Sequence, residues 1–384
     1  MKYTCRTLCL AFAVVLISIP VSGNNFAQAQ PADSVRYGFL PAFSYDSDNG
    51  LYVALELQRF FYQPDIQPYG HFSRANVSFR TIGAYSVYIA RDQVRTFHTD
   101  IRTWADALVS RNYGNYYTGD TFTDGFSQSA FDTTNYYQFS SFMYNIGVTT
   151  RIPVSPIKQI QRSDVKFGLR VVYEKPFDLD PDGFMAQRQP VGWNGAAYVL
   201  GETGYIIEKR DSESLPGTGY FYGFTIRAAL PGISATHAAL FTSDFRWYRN
   251  LTRRASIPYF IFAQKIMWEH SMGEVPYWLQ PNLGGSGGLR GYIWRRFTSD
   301  GLVLSMNEIR AVLVQLPWWD IRLGLNGFVD AGSVYNRSLT EWDPRITYGF
   351  AGIFSVSGSE YYLKYEMGFS PEGIGINIGS GYAF

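Results

Sequence analysis

Apolar and polar residues alternate with a period of two along much of the chain. Leu51, Val53, Leu55 and Leu57 interleave with Glu56 and Gln58, and Val165, Phe167, Leu169 and Val171 with Lys166 and Arg170. Further on, Tyr361, Leu363, Tyr365, Met367 and Phe369 interleave with Glu360, Lys364 and Glu366. In the closing stretch EGIGINIGSGYAF the even positions Ile374, Ile376, Ile378, Tyr382 and Phe384 are large and apolar, whereas Gly375, Asn377, Gly379, Gly381 and Ala383 are small or polar. This is the periodicity of strands with one apolar face, and the charges keep to the other face. The pattern predicts strands at 36–46, 50–62, 70–81, 84–92, 94–109, 136–153, 164–176, 201–209, 219–231, 236–250, 254–268, 301–316, 319–334, 346–357, 359–370 and 373–384. That makes about sixteen, an even number, as closure of a bacterial single-chain barrel requires.

Composition narrows the class. Aromatic residues make up 17% of the chain, with 29 Tyr and 29 Phe, and charged residues also only 17%, below the roughly 25% of soluble domains. No window after the N-terminal segment holds the long apolar run of a membrane-spanning helix. The expectation is an all-β transmembrane antiparallel barrel, its strands alternating lipid-facing and lumen-facing residues, with lipid as an immediate partner. The long Gly- and Tyr-rich connections 110–135, 177–200 and 269–300 are assigned to the extracellular side, because periplasmic turns are short.

At the N-terminus, Lys2 and Arg6 precede an apolar run from Leu8 to Ile19 and small residues through Ala29. This is the three-part pattern of a secretory signal peptide over 1–29, with cleavage after Gly23 as the alternative to Ala29, leaving 30–384 for the barrel. Both cysteines, Cys5 and Cys9, fall inside it, so thiol chemistry is not expected in the exported chain. Without Lys2 and Arg6 the net charge moves from +1 to about −1, which argues against nucleic acid as a partner. The four histidines, His71, His98, His237 and His270, are widely separated, and no metal or other cofactor is expected. Gly284-Gly285-Ser286-Gly287-Gly288 formally fits G-x-S-x-G, but a nucleophile elbow needs a strand–turn–helix setting that a glycine-rich barrel loop lacks. No enzymatic activity is expected.

Four short stretches then stand in order. The run GGSGGLRGY ends in Leu289-Arg290-Gly291-Tyr292 and resembles the VRGF/VRGY loop of the BamA and TamA superfamily of outer-membrane assembly barrels, also called the bacterial surface antigen family. Arg210-Asp211, followed by Pro216, Gly217 and Gly219, is similar to its RD…P..G turn near mid-barrel. Asn307-Glu308-Ile309-Arg310 resembles its ElR strand, and Phe328-Val329-Asp330-Ala331-Gly332 its FxDaG strand. The resemblance implies a cell-outer-membrane barrel of about sixteen strands whose extracellular loop folds into the lumen. It also implies that the loop arginine meets the aspartate and aromatic residue of the FxDaG strand, so Glu308, Phe328, Asp330 and Gly332 are the expected docking residues. Parity agrees independently: Ile321, Leu323, Leu325 and Val329 share one face of that strand, and Arg322, Asn326, Phe328 and Asp330 the other.

The family places periplasmic POTRA modules ahead of its barrel, whereas here the first predicted strand follows the signal segment within a few residues, so the chain reads as a barrel-only member. The implied function is non-enzymatic participation in outer-membrane protein assembly or translocation, with other barrel proteins as substrates or complex subunits. The alternatives are a passive pore or structural subunit and, more distantly, an outer-membrane hydrolase at Ser286. Tyr382 and Phe384 read as the C-terminal assembly signal, with Phe384 on the lipid face.

Overall fold

The computed structural model describes residues 33–384 except 47–49, 82, 159, 214, 253–256, 286, 317–320, 356–361 and 381–383. The signal segment 1–29, Ser286 and Tyr382 therefore lie outside the described residues. The first eleven strands are β1 (Ser34–Asp46), β2 (Gly50–Gln63), β3 (Ile66–Arg80), β4 (Tyr85–Gln93), β5 (Arg102–Tyr116), β6 (Gln138–Pro153), β7 (Arg162–Phe177), β8 (Ala196–Glu208), β9 (Gly219–Ala229), β10 (Ala238–Asn250) and β11 (Tyr259–Gly273). A two-residue ladder, β12 (Asn282–Leu283) with β13 (Phe297–Thr298), follows inside the longest connection. The remaining strands are β14 (Gly301–Leu316), β15 (Ile321–Tyr335), β16 (Trp342–Ser355), β17 (Tyr362–Ser370) and β18 (Gly373–Ser380). Two short helices, α1 (Gln128–Thr133) and α2 (Phe184–Arg188), sit in the connections 117–137 and 178–195.

All strands except β12 and β13 form one sixteen-stranded antiparallel sheet in strict sequence order, from β1 at one end to β18 at the other. No ladder joins β1 to β18 among the described residues. One face is apolar and exposed, with Leu57, Ile89, Ile146, Leu169, Leu325, Val329, Phe350 and Ile376 turned outward. The other carries buried charge, including Asp92, Arg102, Glu174, Glu308, Arg310, Asp330 and Glu366. That inverts the soluble pattern and is what a sheet curled around a polar lumen inside lipid requires. Alternating strand direction puts the connections 117–137, 178–195 and 274–300 at one end, and 64–65, 94–101, 154–161 and 209–218 at the other.

Each predicted strand has its counterpart, but several boundaries move. The strand expected at 94–109 is β5, Arg102–Tyr116, because Phe97 and His98 take left-handed backbone angles and Thr96 N–H bonds to Ile101 O across a turn. β8 begins at Ala196 rather than 201, and β11 runs Tyr259–Gly273 rather than 254–268. In β8 the reason is physical: inward-facing Tyr198 and Leu200 bury against Val275, Trp278 and Leu279 of the long connection. With both faces apolar there, the alternation that marks a strand disappears.

Candidate functional site

The glycine-rich stretch lies in the connection 274–300, which is stapled at its neck by the β12–β13 ladder and turns back into the lumen. Leu289 and Tyr292 are buried in a cluster with Leu283, Phe297, Leu302, Leu304 and Val334, and the Tyr292 ring meets Phe297 edge-on at 4.9 Å. Between them Arg290 has no exposed surface at all, 0%.

Its guanidinium is held on every side. Nε donates to Asp330 Oδ2 at 2.8 Å and Nη2 to Asp330 Oδ1 at 2.7 Å, a bidentate pair. Nη1 donates to Glu308 Oε1 at 2.5 Å and to Glu366 Oε2 at 3.0 Å, while the Arg290 amide also bonds to Asp330 at 3.2 Å. The guanidinium carbon lies 3.6 Å above the Phe328 ring. Two further cations complete the group: Lys364 Nζ pairs with Glu366 at 2.9 Å and Arg310 Nε with Glu308 at 2.8 Å. Three carboxylates thus face three cations, the condition under which charges tolerate burial. Burial alone would lower the Arg290 pKa, but the bonds and charges of Asp330, Glu308 and Glu366 outweigh it and hold the group above the ordinary guanidinium value.

Backbone fit brings the loop this far in. Gly291 has φ +112, and a Cβ built on it would lie 2.9 Å from the Phe369 carbonyl carbon. Gly368 and Gly375, opposite each other on β17 and β18, are the matching floor. A Cβ on Gly368 would meet the Arg290 carbonyl carbon at 2.6 Å, and one on Gly375 the Gly291 Cα at 2.9 Å. Three glycines therefore let the loop backbone lie directly on the β17–β18 ladder.

The expected docking residues Glu308, Phe328 and Asp330 converge on Arg290. Gly332 stands two residues further along β15 beneath the loop's flank, where an added Cβ would come 3.1 Å from Leu283 Cδ1. The turn motif lies apart, in the connection 209–218 at the opposite end. There Arg210 forks onto Glu208, with Nη2 to Oε2 at 2.6 Å, and Asp211 Oδ1 accepts the Gly217 amide at 2.9 Å. Gly219 has φ +99, and a Cβ would collide with Lys209 O at 2.1 Å. Pro216 is buried within the turn. The turn projects Glu213 past β6 and β7 to Arg102 on β5, with Nη1 to Oε1 at 2.7 Å, and Arg102 also grips Asp92 at 2.6 Å.

Phe384 departs from expectation. It is buried inside the barrel rather than turned to lipid: its ring lies 6.3 Å from that of Tyr248, the Arg310 guanidinium carbon is 4.9 Å from its centre, and Arg310 Nη2 donates to its main-chain oxygen at 2.9 Å. β18 is described to Ser380 and residues 381–383 lie outside the described residues, so the parity of β18 does not by itself fix the direction of Phe384.

A family model described as the Omp85 superfamily domain matches residues 103–370. The chain belongs to the Omp85 superfamily. Like the rest of that superfamily it is an outer-membrane β-barrel protein. Among solved structures this Omp85 chain is similar to BamA from Haemophilus ducreyi lacking POTRA domains 1–3, at a TM-score of 0.57 and 14% identity, over 92% of this chain and 70% of that one. It is also similar to CdiB from Escherichia coli, at 0.58 and 11% over 92% and 62%, and to CdiB from Acinetobacter baumannii, at 0.52 and 12% over 91% and 65%. The chain therefore spans less than two thirds of either CdiB chain, and identities this low establish the shared fold alone. No curated protein matches it in sequence.

Glu366, Lys364, Arg310, Gly368 and Gly375 were not among the expected site residues. The signal was present for the first two, since Lys364 and Glu366 are charges on the inward parity of an otherwise apolar strand. Nothing local names their partner.

Proposed function

We propose that this Omp85 barrel takes part, without catalysis, in assembling other outer-membrane proteins or moving them across the membrane, with other barrel proteins as its substrates or complex partners. The observation that supports this most is the division of labour along the sheet. The docked loop ties β14, β15 and β17 together through Arg290, while the edges of β1 and β18 share no ladder among the described residues. A strand edge next to an internally braced wall is a template on which an incoming strand can pair.

Depleting the protein in its native host and quantifying the other outer-membrane barrels tests the reading. The expected result is a broad fall with precursors accumulating in the periplasm. Unchanged levels would overturn it in favour of a pore or structural subunit, which planar-bilayer conductance would then show.

A further inference from the structure

The outward face of β2, β3 and β4 carries its side chains in cross-strand rows. Register aligns Leu55 with Val77 and Val87, then Leu57 with Ala75 and Ile89, then Arg59 with Ser73 and Arg91, and finally Phe61 with His71 and Gln93. The first two rows belong to the lipid-facing belt, with Leu57 49% and Ile89 53% exposed. Along the central strand the side chains shrink to Ala75 and Ser73, so a furrow runs between Leu57 and Ile89 and ends between two arginines.

These arginines differ from those of the lumen. Arg102, Arg170, Arg210 and Arg290 each pair with a carboxylate. Arg59 instead approaches His71 Nε2 at 3.3 Å and Arg91 donates to Gln93 Oε1 at 3.1 Å, with the Phe61 ring stacked on His71 at 4.8 Å. Among the described residues no carboxylate pairs with either guanidinium. Two positive charges without a carboxylate partner among the described residues thus stand outward one row beyond Leu57 and Ile89, toward the strand ends opposite the long connections. With the long connections assigned to the extracellular side, this end of the sheet faces the periplasmic leaflet, where the phosphates of its lipids lie.

We propose that β2–β4 hold one glycerophospholipid of that leaflet, with its phosphate over Ser73 between Arg59 and Arg91 and one acyl chain in the furrow over Ala75. A phosphate takes charge-assisted bonds from two guanidinium forks, and the Ser73 hydroxyl adds a donor. The acyl chain continues the lipid-facing belt above it. Two cations facing one phosphate favour a headgroup of net negative charge over one whose own ammonium would meet an arginine.

Native mass spectrometry of the full chain in detergent, titrated with phosphatidylglycerol, phosphatidylethanolamine and glycerol 3-phosphate, tests the site. The expected result is one retained phosphatidylglycerol, weaker retention of phosphatidylethanolamine and no stable adduct with glycerol 3-phosphate. Arg59→Gln with Arg91→Gln should weaken phosphatidylglycerol about 30-fold, from roughly 1 kcal/mol per arginine at a headgroup surface converted at 1.4 kcal/mol per tenfold. Ala75→Phe, which fills the furrow and keeps both charges, should weaken it as well and gives an independent reading if the double variant does not insert. Retention equal to wild type in either folded variant would overturn the proposal, and so would glycerol 3-phosphate binding as tightly as the lipid.

Discussion

Arg290 and Glu366 stand 76 positions apart, yet Nη1 of one donates to Oε2 of the other at 3.0 Å inside the barrel. Through this bond a loop that starts after β11 reaches past β14, β15 and β16 to the strand before last. Since Glu308 and Asp330 hold the same guanidinium, one side chain couples three strands that are not all neighbours.

Removing that guanidinium leaves three buried carboxylates facing two cations. Breaking a buried ion pair from one side costs about 3–5 kcal/mol, so Arg290→Ala should markedly lower the temperature at which the folded barrel loses its heat-modifiable gel mobility. Arg290→Lys keeps the charge but cannot fork onto Asp330, and should fall between. Equal melting of all three proteins, with the loop still protease-resistant, would refute a bracing role for Arg290.

The glycine contacts make a separate prediction about the same loop. Gly375→Val on β18 places carbon where the Gly291 backbone already lies, so the loop must lift although no charge has changed. Limited proteolysis should then cut within 284–297 in the variant and not in wild type. Gly327→Ala is the control, since nothing lies within 4 Å of its added Cβ.

How much of this was legible in the sequence depends on distance along the chain. Asp330 and Phe328 could be turned inward by parity, a property of two residues' spacing on one strand. Glu366 has the same parity, but its partnership with Arg290 exists only because β17 lies under the loop. Glu213 and Arg102, 111 positions apart, are joined by the reach of a turn rather than by any periodicity. The N-terminal part of β8 was hidden because loop packing made both of its faces apolar. Phe384 failed because the alternation of β18, described to Ser380, was extended to the terminal residue, whose ring instead packs inward on Tyr248.

The inward Phe384 ring changes what its removal should do. Phe384→Ala takes away the ring beneath the Arg310 guanidinium and a neighbour of Tyr248, but leaves the main-chain oxygen that accepts from Arg310. A loss of about 3–5 kcal/mol is ordinary for deleting a buried Phe, so the folded variant should melt earlier even where it inserts. A residue serving only as a recognition signal would slow insertion and leave the melting temperature of the inserted barrel unchanged. The two measurements together separate the roles.

The turn at the opposite end carries a pH dependence of definite sign. Burial alone would raise the Glu213 carboxyl, but Arg102 outweighs it and brings the pKa down to about 2, against about 4.3 for an undocked glutamate. A carboxylate depressed in the folded state contributes stability that is complete above the undocked pKa and is lost as pH falls toward the folded one. The contribution of Glu213, on the order of 3 kcal/mol for a shift of this size, should be constant from pH 7 to 5, shrink below about pH 4 and vanish near pH 2. Glu213→Gln cannot ionise, so the difference in melting temperature between wild type and this variant isolates it from every other carboxylate. That difference should be flat above pH 5 and close progressively in acid. Identical melting at pH 7 would mean that the turn does not depend on Arg102 for its position.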